Sequence, residues 1–127
     1  MKSNEPREQC PDRKISETFL DFASPLLSVL PTGAAKGEYE EVLEIAFVVW
    51  NAVVYADAVG DDAHIKEIRR LMRDDGTLRL ITEELIARKR ALFGDDHRLV
   101  GDHRVTRQGR GFKLWAEARS PFPEDGD

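Results

Sequence analysis

Cysteine is all but missing: Cys10 is the only one in 127 residues, so no disulfide can close within the chain. One thiol cannot build a zinc site either. Residues Met1 to Lys14 hold no apolar run of the kind a secretory leader needs. The greasiest stretch, Val42 to Val59, carries Glu44, Asn51 and Asp57. Polar and acidic groups at such depth are costly in lipid, so a buried helix is expected here and not a membrane span. Reaction motifs are also wanting. None of Ser3, Ser16, Ser24, Ser28 and Ser120 stands in a Gly-x-Ser-x-Gly elbow, and no His-Glu-x-x-His pair occurs. Gly109-Arg110-Gly111 is too short for a phosphate-binding loop and opens no helix. The expectation is a soluble cytoplasmic protein with no cofactor and no membrane partner.

What is present fits one domain, 41% hydrophobic and 34% charged. Residues 1–14, with Pro6 and Pro11, lack a periodic apolar face and read as a flexible tail. Residues 120–127, with Pro121, Pro123 and three acids, read as a flexible acidic tail. Between them, residues 15–119 are expected to form a single helical domain.

The first helix should begin at Ser16 as N-cap, with Ile15 as a staple onto Leu20. Phe19, Phe22, Ala23, Leu26, Leu27 and Leu30 form its apolar stripe, and Pro25 should kink or break it. The second helix spans about Glu38 to Val59 and ends at Gly60. Its early glutamates suit the helix dipole. From Ile45 to Val54 it is apolar nearly all round, which demands cover on every side. It should therefore lie at the centre of the bundle or at a self-association surface. Asn51 and Asp57 need hydrogen-bond partners if buried, capping of a neighbouring helix being the plain one.

Asp61 or Asp62 should cap a third helix whose inner face is Ile65, Ile68, Leu71 and Met72. Thr77 should cap a fourth, with Leu78, Ile81, Leu85, Leu92 and Phe93 inward, Arg88 breaking the stripe and Gly94 ending it. From Leu99 the apolar period changes to two. Leu99, Gly101, His103 and Val105 on one run, and Phe112, Leu114, Ala116 and Ala118 on the next, suggest an antiparallel hairpin closed by Arg107 to Gly111. The fold class is mostly α (α+β): a four-helix cluster, its second helix central, with a C-terminal antiparallel β-hairpin.

Charge is uneven. Arg88 to Arg119 holds nine Lys/Arg against four Asp/Glu, while the rest holds ten against twenty. Either a partner reads this asymmetry or acidic helices pair with basic elements, the latter being the plainer account. Three His–acid clusters, around Asp61 and His64, Asp96 and His97, and His103, contain metal-ligating residue types in no recognised spacing. Capping and turn chemistry explain them more simply; a metal-dependent hydrolase is the alternative. Arg104, Arg107, Arg110 and Lys113 gather near the hairpin tip beside Phe112 and Trp115, a mixture able to hold phosphates and stack bases. A net charge of −5 weighs against nucleic acid. The leading expectation is a non-catalytic interaction or oligomerisation module, a homodimer with another protein partner possible, using Trp50, Trp115, Arg104, Arg107 and Arg110.

Overall fold

Among the described residues, 14–31, 33–109 and 111–122, the computed structural model has four α-helices followed by one β-hairpin. They are α1 (Ile15–Leu27), α2 (Lys36–Val54), α3 (Ala63–Leu71), α4 (Gly76–Leu92), β1 (Leu99–Gln108) and β2 (Gly111–Arg119). The stretches expected as tails fall largely outside these residues.

The second helix is the axis of the fold. Its Leu43, Ala46, Phe47, Val49, Trp50, Ala52, Val53 and Val54 are all buried, and α1, α3, α4 and β1 pack around it. Between Ile45 and Val54, Val48 is the apolar side chain that looks outward, 43% exposed. The demand for neighbours is thus met mostly within one chain. Lys36–Val59 is also long and apolar enough to cross a bilayer by length and composition, but its apolar side chains are the centre of this core. At its C-terminal end α2 widens into a π-helical turn, Tyr55–Val59. Gly60 closes it in the left-handed region (φ +83°), the conformation glycine adopts without strain, and the Asp61 N–H reaches the Tyr55 carbonyl at 3.0 Å.

Two helix starts differ from the sequence expectation. Helix α1 is capped two residues earlier, at Lys14, whose carbonyl accepts the Glu17 and Thr18 N–H groups, and Ser16 sits inside the first turn. Ile15 is accordingly a buried first-turn residue instead of a staple outside the helix. Helix α4 is capped by Asp75, whose carboxylate accepts the Leu78 N–H at 3.0 Å, and not by Thr77. At the start of α3, the Asp61 carboxylate accepts the Ala63 N–H at 3.0 Å. Leu71 and Leu92 are exposed, contrary to the inward faces expected, since α3 stops at Leu71 and α4 ends while Phe93 turns in toward Phe22 and Trp50.

Pro25 does not end α1, which continues to Leu27. Proline cannot donate to the Asp21 carbonyl one turn back. Arg88 of α4 supplies a donor: its Nη2 reaches the Asp21 carbonyl at 2.9 Å and its Nε the Phe22 carbonyl at 3.0 Å. The arginine that interrupts the α4 stripe thereby joins α4 to the backbone of α1. Arg88→Met is expected to destabilise the fold by about 2 kcal/mol, the magnitude for losing a charge-assisted bond to a partly buried carbonyl together with a weaker one to an exposed carbonyl. Denaturant midpoints of the two proteins, compared at constant slope, measure it.

The hairpin pairs from Leu99↔Arg119 at its base to Gln108↔Gly111 at its tip, so the turn is tighter than Arg107 to Gly111, with Gly109 at φ +61°. A bulge between Val100 and His103 breaks the strict alternation. Val100 lies opposite Ala118 and His103 opposite Ala116, so Leu99 and Val100 are both buried where the period of two puts one outward. Asn51 fixes this base onto α2: its side-chain amide donates to the Val100 carbonyl (3.0 Å) and its oxygen accepts the Val100 N–H (2.8 Å). Asn51 thus holds a strand, not a helix end.

Candidate interaction surfaces

Four of the nine cations in the basic C-terminal third lie beside carboxylates of the same chain. Arg90 makes a two-point pair with Asp57 (2.9 and 3.1 Å), and Arg98 one with Asp96 (2.6 and 2.9 Å). Arg119 meets Glu117 at 2.9 Å, and Arg88 lies 3.9 Å from Asp21. Lys89 is buried beneath Trp50, its Nζ 4.4 Å from the indole ring centre. The Nζ donates to the Phe93 and Asp96 carbonyls, both at 2.8 Å, and so closes the C-terminal end of α4. Burial pushes its pKa down, against the upward pull of Asp96 and Asp57. Lys89 stands in the last turn of α4, where a cation suits the helix dipole, and nothing in its local sequence pattern marks it as buried.

The cations left over share one place. Among the described residues, Arg104, Arg107 and Lys113 have no carboxylate within ion-pair distance, and all three are exposed on the outer half of the hairpin. Antiparallel register puts Arg104 opposite Trp115 and Thr106 opposite Lys113 on the outward face, while Val105 and Leu114 point into the core. Trp115 is 48% exposed, with the Arg104 guanidinium over its ring at 5.0 Å. On the inward face near the tip, Arg107 lies 5.0 Å from the Phe112 ring, which stacks on Tyr39 at 4.6 Å. Arg110 lies outside the described residues.

A second surface is apolar. Between α1 and α4 runs a groove of about 640 Å³, lined by Pro25, Leu26, Ile81, Leu85 and Ala91 among others. Val29 and Leu92 stand at it 76% and 62% exposed. Sequence periodicity assigned Leu92 to the core and so did not foresee this surface.

The remaining site candidates are dispersed. Trp50 is fully buried, its Nε1 donating to the Arg98 carbonyl at 2.7 Å; it shapes the core and offers no contact surface. Asp61 serves α3 as described, and His64 packs on Tyr55 at 4.7 Å. Asp96 is buried and holds Arg98, while His97 is exposed. The His103 ring stacks on Phe47 at 3.8 Å, with Glu44 4.0 Å from Nε2. No group of three or more His, Cys, Asp or Glu able to hold a metal occurs among the described residues. No family model matches the chain, and neither the curated proteins nor the solved structures offer a match.

Proposed function

We propose that this protein is a non-catalytic interaction module of the cell interior that pairs with a second copy of itself through the groove between α1 and α4. The observation that carries this reading is the exposure of Val29 and Leu92 on the rim of an apolar furrow. Apolar side chains gathered in this way gain free energy when covered, at roughly 25 cal/mol per Å² removed from water. The patch holds both projecting side chains and a hollow. A twofold arrangement would let Leu92 of each copy enter the furrow of the other, which is how one surface complements itself.

Analytical ultracentrifugation at millimolar concentration tests the pairing. The dimer mass is expected for the natural chain, and the monomer mass for the double variant Val29→Glu, Leu92→Glu. Because both positions are exposed, their replacement should leave the helical circular dichroism unchanged. A strict monomer for the natural chain overturns the reading. Native mass spectrometry of the same samples would also reveal bound metal, and a stoichiometric metal would favour the hydrolase alternative instead.

A further inference from the structure

We infer that the outward face of the hairpin, around Arg104, Lys113 and Trp115, binds a short extended segment of another protein with acidic residues at alternate positions. This holds whether or not two copies pair through the helical groove.

The first ground is charge. Within the basic stretch, Arg88, Arg90, Arg98 and Arg119 lie beside carboxylates of the same chain, and Lys89 is held by carbonyls. Arg119 shares the outward face of β2 but meets Glu117, so Arg104 and Lys113 are the outward cations left without a carboxylate partner among the described residues. Negative groups on a partner would complete what the fold leaves open.

The second ground is spacing. With Arg104 opposite Trp115 and Lys113 opposite Thr106, the two cations occupy diagonal corners of one four-residue patch. Diagonal positions across an antiparallel pair lie about 7–8 Å apart. Alternate residues of an extended chain lie roughly 6.7 Å apart, twice the rise per residue. Two carboxylates on residues i and i+2 therefore match Arg104 and Lys113, and the half-exposed Trp115 offers apolar contact between them.

Acidic protein fits better than nucleic acid because the patch is small and bounded by like charge for a polyanion. Glu40 and Glu44 of α2, with Phe47, His103 and Arg104, line a hollow beneath the inward side of the hairpin. Glu117 lies on β2 two residues beyond Trp115. A run of phosphates along β2 would carry its charge past Lys113 and Trp115 to Glu117, whereas two acids at i and i+2 end within the patch.

Tryptophan fluorescence of the full-length chain provides the test, since Trp115 is exposed and Trp50 is buried. The probe is a synthetic peptide of alternating Glu and Thr, titrated at low salt, with an oligothymidylate of equal charge as comparison. A saturable change in emission is expected with the peptide. It should disappear in Trp115→Phe and weaken as salt rises. Binding of the peptide to Arg104→Glu, Lys113→Glu, followed by anisotropy of a labelled peptide, should fall by more than about tenfold, the equivalent of 1.4 kcal/mol. The Val29→Glu, Leu92→Glu protein should bind the peptide normally, which separates this inference from self-pairing. Absence of binding by the natural chain, undiminished binding by the charge-reversed protein, or tighter binding of the oligothymidylate would each overturn it. So would a change of native mass on charge reversal alone, which would make the face a contact between copies.

Discussion

Alanine in place of Trp50 is expected to lower folding stability by about 4 kcal/mol, within the range for removing a large buried aromatic side chain. Four helical and loop contacts converge on this indole. Phe22 meets it edge-on at 5.2 Å, Phe19 at 6.2 Å and Phe93 at 5.8 Å, and the Lys89 ammonium lies over its ring. Its N–H also fixes the backbone at Arg98, one residue before β1, so the same side chain orders the core and sets where the hairpin begins. A cavity here cannot be filled by local collapse, because the surrounding rings belong to separate elements. Chemical denaturation followed by far-ultraviolet circular dichroism gives the number. Trp50→Phe separates the two roles: it keeps much of the ring and loses the bond to the Arg98 carbonyl, for an expected cost of about 1–3 kcal/mol. A loss below about 1 kcal/mol for the alanine variant would contradict the central position assigned to this residue.

Much of the architecture was legible in the sequence because it is written in local periodicity. The all-round apolar run from Ile45 to Val54 implied a covered helix, and Gly60 marked its end; the switch to a period of two at Leu99 implied the hairpin. What escaped depends on partners distant in sequence. Pro25 looks like a break until Arg88, more than sixty residues on, is seen to serve the carbonyl it abandons. Arg88 in turn looks like a fault in the α4 stripe. The bulge that buries both Leu99 and Val100 answers to Asn51, on another element. The charge asymmetry was visible as a count, but only the pairing of Arg90 with Asp57 and Arg98 with Asp96 reveals which cations are left at the hairpin. Leu92 belongs to the apolar period of α4 and yet faces outward, since among the described residues no element lies over that turn.

Alkaline titration should reveal the buried lysine. Burial brings the Lys89 pKa from 10.5 down to about 8, so the folded protein gives up this proton more readily than the unfolded chain. Between pH 8 and 10.5 the unfolded state binds more protons at this site, and stability must rise with pH across that window. Below it, the fold bears the cost of a buried ammonium, about 3 kcal/mol for a displacement of this size. The amine that remains after deprotonation still has two N–H donors for its two carbonyl acceptors, Phe93 and Asp96, so no hydrogen bond is lost as the charge leaves. Other groups titrate in this range, and a difference measurement removes them. The stability of the natural chain minus that of Lys89→Met should grow by about 3 kcal/mol from neutral pH to the top of the window. The Lys89 side-chain NMR resonance should show a midpoint near the lowered value even if the variant does not fold. A flat difference and an ordinary lysine midpoint would mean that the two carbonyls and the indole face hold the charge as well as water does.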